Sequence, residues 1–97
     1  MPSGSKPTPR LGPVVAVRRL RVRGSRRTVL VRLGKPRRTG RDWRAPFQIR
    51  GTGSSELLYG YGVDAMQAVI NALEGIRVTL AQAPWQLAGL PSRRKAP

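Results

Sequence analysis

The 97-residue chain has no cysteine, no histidine, only four acidic residues and few aromatics: two Trp, two Tyr and one Phe. Without Cys or His there is no disulfide framework, no Cys/His zinc site and no Cys–His or Ser–His nucleophile pair. The four acids offer little for general acid–base work. Asp64 is expected to cap a helix, Glu74 to pair with Arg77 three residues on, and Asp42 to pair locally within basic surroundings. The Gly-rich pieces GTGSS and YGYG lack the Gly-Lys-Ser/Thr of a phosphate loop and read as turns. An enzyme is therefore not expected, nor a cofactor or a metal site. Long apolar runs are also missing: the longest, Val14 to Val17, falls far short of the roughly 20 residues that span a bilayer. The opening MPSGSKPTPRLG carries no apolar signal segment, so a cytoplasmic location with no membrane partner is expected.

Basic charge dominates what is present. Nineteen Lys and Arg, sixteen of them Arg, give a formal net charge of +15. Residues 1–50 hold +14 of it, residues 51–90 are at −2, and residues 91–97 add +3. An Arg-rich, Lys-poor chain could reflect the base composition of a genome, but that does not account for clustering in one half. A one-sided positive field points to a polyanionic partner.

Gly and Pro together make 20 of the 97 residues and concentrate at the ends. Residues 1–12 and 91–97 read as flexible tails, leaving a single domain over 13–90. Its first part alternates with period two. In Val14–Arg23 the even positions Val14, Ala16, Leu20 and Val22 are apolar (Arg18 excepted), and Arg19, Arg21 and Arg23 face the other way. Gly24-Ser25 is a turn, and Val29, Val31 and Leu33 continue the apolar face, with Leu30 left on the polar side. Residues 34–42, GKPRRTGRD, read as a loop. Trp43, Ala45, Phe47 and Ile49 then alternate with Arg44, Pro46, Gln48 and Arg50. Pro46, lacking an N–H, implies a sheet edge or a bulge there. Leu57, Tyr59 and Tyr61 form a short fourth strand.

One helix follows. Asp64 and Gln67 are spaced as a capping box, and Met66, Val69, Ile70, Leu73, Ile76 and Leu80 form an apolar stripe. Gly75 within it implies close approach to the sheet, and Pro84 ends it. The expected fold is α+β: a four-stranded antiparallel meander with one C-terminal helix across a single face. Val29, Val31, Leu33, Trp43, Phe47, Ile49 and Tyr59 would face that helix.

The opposite face would present Arg19, Arg21, Arg23, Arg32, Arg44 and Arg50, beside the loop residues Lys35, Arg37, Arg38 and Arg41. Guanidinium groups bind phosphate as a planar fork. Such a surface suits a DNA or RNA backbone, and a merely solvated face would mix signs. Trp43, Phe47, Tyr59 and Tyr61 share the parity of the buried set, so contacts with bases are not expected. The binding would be to phosphates, weakly sequence-specific and salt-dependent. The helix carries only Arg77, so no helical DNA reader is visible. After Pro84, the apolar Trp85, Leu87 and Leu90 either fold back on the globule or dock on a partner.

The run Asp42-Trp43-Arg44-Ala45-Pro46-Phe47-Gln48-Ile49, followed by Tyr59-Gly60-Tyr61-Gly62-Val63-Asp64 and then Gln67-Ala68 with Ala72-Leu73 and Ile76-Arg77, resembles a small uncharacterised bacterial domain family. That family has a Trp-x-x-Pro-Phe element and then Gly-x-Asp-x-x-Gln-Ala entering a helix. The resemblance covers roughly residues 15–82. This chain departs from the pattern at Ala45, where the family more often has Cys. The resemblance implies a shared fold and no catalytic residues.

Two functions fit. The first is a small non-enzymatic module that binds nucleic acid through its Arg-rich sheet face and loop. The second is a protein-interaction module, antitoxin-like, immunity-like or modulating phage defence, that binds an acidic protein. Homo-oligomerisation through the Arg-rich face is disfavoured because like charges would meet; another surface could still support it.

Overall fold

A computed structural model describes residues 10–51 and 56–82. Within them the chain forms strands β1 (Val14–Arg21), β2 (Thr28–Gly34), β3 (Arg37–Thr39), β4 (Asp42–Arg50) and β5 (Leu57–Gly62), then helix α1 (Ala65–Ala81). All pairings are antiparallel: β1 with β2, β2 and β3 with β4, and β4 with β5. The α+β meander with one C-terminal helix is thus present, with five strands instead of four. The extra one, β3, lies inside the segment expected to be loop. Its short hairpin to β4 aligns Thr39 with Asp42 across Gly40-Arg41, and Gly40 takes a φ of 60°. A two-residue hairpin turn needs positive φ, which glycine supplies without steric cost.

Strands β2 and β3 lie along the same edge of β4. The β2 register runs from Leu30↔Arg50 to Leu33↔Phe47, and β3 resumes at Arg37↔Arg44. Pro46 falls in the interval between them. It therefore sits not on an edge strand but where the ladder of a central strand is interrupted, so its missing N–H is tolerated. A register shift between Val14 and Ala16 marks a bulge in β1, and Val14, Val15 and Val17 are exposed on that edge strand.

The core lies between the sheet and α1: Leu20, Val22, Val29, Val31, Leu33, Ala45, Phe47, Ile49, Ala68, Ala72, Ile76 and Leu80 are buried. Two details depart from the expected pattern. On the helix, Ala68 and Ala72 are fully buried while Met66, Ile70 and Leu73 are more than half exposed. The stripe facing the sheet is one of small residues that only its C-terminal half, Ile76 and Leu80, widens. On β5, Gly60 and Gly62 face α1, so Tyr59 and Tyr61 point away from it. A Cβ on Gly60 would lie 2.1 Å from the Ala72 nitrogen and 2.6 Å from the Ala68 oxygen; one on Gly62 would lie 2.5 Å from the Ala68 nitrogen. The YGYG segment is accordingly a strand pressed against helix backbone, not a turn. Gly75 does approach the sheet, as expected, since a Cβ there would lie 2.9 Å from Phe47 Cζ.

Helix α1 packs on β5 and β4. Toward β1 it leaves an apolar groove of about 430 Å³ lined by Ala16, Leu33, Leu73, Ile76 and Leu80, with Arg18 and Arg77 beside them. At the helix start, the Gln67 N–H donates to Asp64 Oδ1 at 2.7 Å, and Gln67 Oε1 accepts from the Val63 N–H at 2.8 Å. This is the expected box, with its return bond one residue upstream of the cap. Replacing Asp64 by Ala should lower stability by about 1 kcal/mol, read as a shifted urea midpoint with unchanged slope. An unshifted midpoint would mean the cap is dispensable.

Candidate nucleic-acid interface

The sheet face opposite α1 is fixed by strand register. Moving along it, Arg21 lies beside Thr28, and Arg19, Leu30 and Arg50 form the next row. Val17, Arg32, Gln48 and Leu57 make the third. Pro46 then pairs with Tyr59, and Arg37, Arg44 and Tyr61 complete the far end. From Arg50 to Arg44 the face extends about 20 Å along β4. Six arginines thus share one surface. The acid of matching parity is Asp42, at the start of β4, which makes no ion pair among the described residues, contrary to the local pairing expected of it.

Their environments differ. Arg19, Arg21, Arg37 and Arg50 are exposed, whereas Arg32 and Arg44 are half-buried. The Arg32 guanidinium donates to Gln48 Oε1 across the β2–β4 pair. Its Nε is buried with no partner among the described residues. Arg44 lies over the Tyr59 ring, 4.5 Å from the centroid, a cation–π contact that holds the side chain along the face. None of the six is paired with a carboxylate among the described residues, and the exposed Arg19, Arg21, Arg37 and Arg50 leave their charge open to an external anion. Elsewhere, Arg77 and Glu74 form the expected pair on α1. The Arg77 hydrogen bond holds the Glu74 carboxyl below its ordinary range. That lowered value favours folding above the range and is lost as pH falls through it, but full exposure makes the effect small.

Four of the expected basic residues lie elsewhere. Arg38 pairs with Trp43 and so shares its parity, on the side of the helix. Arg23 lies in the turn after β1, Lys35 between β2 and β3, and Arg41 in the β3–β4 turn. Trp85, Leu87 and Leu90 fall outside the described residues.

Sequence parity misplaced Tyr59 and Tyr61. Both belong to the open face, with ring centroids 6.0 Å apart and planes at 43°; Tyr61 is 54 % exposed. The signal for this was the alternation of Gly60 and Gly62, the residues that permit a helix to approach.

Among the described residues no three His, Cys, Asp or Glu come together as a metal site. No helix there is long and apolar enough to cross a membrane. The arrangement is a cationic surface on one face of an antiparallel sheet.

No curated protein and no solved structure matches the chain. A family match spans residues 16–90, and the chain belongs to that family, the Domain of unknown function (DUF6968).

Proposed function

We propose that this protein is a non-enzymatic module that binds nucleic acid through phosphate contacts from the open sheet face. The supporting observation is the gathering of Arg19, Arg21, Arg32, Arg37, Arg44 and Arg50 on one face without carboxylate partners among the described residues. Six like charges on one sheet repel one another, and an external polyanion removes that repulsion. Each guanidinium can grip a phosphate with two parallel N–H donors. Base edges are not read by such contacts, so sequence preference is weak.

Fluorescence anisotropy with labelled DNA and RNA between 50 and 200 mM salt tests this reading. If all six arginines neutralise phosphates, log K should fall against log salt with a slope of about −4 to −5. Affinity would then drop by roughly two to three orders of magnitude over that range. Weak binding at low salt, or binding indifferent to salt, would contradict the proposal. The second reading, an acidic protein on the same face, requires a stoichiometric complex that survives nuclease treatment.

A further inference from the structure

We infer that the far end of the open face is a stacking platform for unpaired bases, which makes single-stranded nucleic acid the preferred ligand. The inference rests on the function proposed above and adds the class of strand. Phosphate contacts alone serve duplex and single strand alike, so the choice must come from something that meets a base. The tyrosines of β5 supply it.

Their placement is dictated by packing. At Gly60 and Gly62 the other face of β5 is closed to side chains, because a Cβ on either would run into the backbone of α1. The aromatic rings have the open face alone. Tyr61 is 54 % exposed there, leaving much of the ring uncovered. It is also held in place: the Asn71 side chain on α1 donates to the Tyr61 carbonyl, tying the edge strand to the helix. Tyr59 lies alongside, covered by the Arg44 guanidinium. The flat guanidinium itself offers a second surface on which a base can stack.

Charge completes the arrangement. Arg44 lies directly across from Tyr61, and Arg37 one strand further along the same row, with neighbouring strands about 4.8 Å apart. A base resting on Tyr61 therefore brings its own phosphate toward two guanidinium groups. Paired bases in a duplex expose no face to such a ring, and only the phosphate contacts remain for that ligand. Stacking tolerates any base, since each has a π-face, which agrees with weak sequence preference.

The test uses the full chain and three labelled probes: twelve-nucleotide oligo(dT), twelve-nucleotide oligo(U), and the duplex of oligo(dT) with oligo(dA). At one salt concentration the single strands should bind about 10-fold or more tighter than the duplex. Tyr61→Ala should abolish that difference by weakening single-strand binding about 10-fold, the loss of one stacked base, and leave duplex affinity unchanged. Tyr61→Phe, which keeps the ring, should retain the preference and show that the site is otherwise intact. Oligo(dT) and oligo(U) distinguish DNA from RNA among single strands. Equal affinity for single strand and duplex, unaltered by Tyr61→Ala, would overturn the stacking platform and leave the phosphate-binding reading standing. An equal loss on all three probes in Tyr61→Ala would also overturn it, by showing a general disturbance of the face. No binding to any probe at low salt would overturn both.

Discussion

Replacing Gly60 by Ala should destabilise the fold by about 3 kcal/mol or more, and Gly60→Val should leave the chain unfolded at room temperature. Adding the single methyl group places an atom 2.1 Å from the Ala72 nitrogen and 2.6 Å from the Ala68 oxygen. Both are main-chain atoms of α1, so no rotamer change relieves the clash, and the helix must lift from β5. Ala68 and Ala72 would then lose the burial that holds α1 on the sheet, in a domain whose total stability is about 5–15 kcal/mol. Gly24→Ala is the comparison. Its φ of 72° carries the left-handed penalty, but nothing stands within 4 Å of the new Cβ, so a loss of about 1–2 kcal/mol is expected. Urea denaturation followed by far-UV circular dichroism ranks the two. A Gly60→Ala midpoint equal to that of the parent chain would mean that α1 does not rest against β5 this closely.

Neighbouring arginines on β3 should behave differently toward a polyanion. Arg37 aligns with Arg44 and shares the open face, whereas Arg38 aligns with Trp43 and points to the other side. Charge reversal, Arg37→Glu, removes one phosphate contact and adds a repelling carboxylate. A loss of about 10- to 100-fold in affinity at low salt is expected, with the salt slope shallower by roughly 1. Arg38→Glu changes net charge by the same amount but not on the binding face. Its effect should be limited to the screened long-range field, a few-fold at most. Anisotropy titration of both variants at matched salt separates a face-specific contact from general basicity. Equal losses would favour net charge alone and count against a defined site.

The alternation of apolar and basic residues in β1, β2 and β4 was legible from the chain, as was the capping box at Asp64 and Gln67. What misled the parity argument was glycine and alanine. Tyr59 and Tyr61 are the large residues of β5, so parity alone points them inward, although Gly60 and Gly62 form the packed face. The same error recurs on α1, where Met66, Ile70 and Leu73 outweigh Ala68, Ala72 and Gly75 in apolarity but lie on the exposed side. A reading based on side-chain burial gives no weight to a face whose contact is made by backbone. The spacing of Ala68, Ala72 and Gly75 at i, i+4 and i+7, opposite Gly60 and Gly62, was the available sign. Strand β3 was hidden for another reason: Arg37, Arg38 and Thr39 are all exposed and carry no alternation, so only their pairing with β4 makes them a strand. The candidate face is therefore only partly visible in the sequence. Five of its six arginines follow from parity, Arg37 required the pairing of β3 with β4, and its tyrosines required the helix-to-sheet distance.

The most direct measurement is a nuclear magnetic resonance titration of the ¹⁵N-labelled chain with oligo(dT), following the arginine Nε–H signals together with the backbone amides. The expected result is perturbation of the Arg19, Arg21, Arg32, Arg37, Arg44 and Arg50 side chains, while Arg77 and the exposed helix residues Met66, Ile70 and Leu73 stay unchanged. Shifts confined to α1, or spread evenly over every arginine, would contradict a nucleic-acid site on the open face of the sheet.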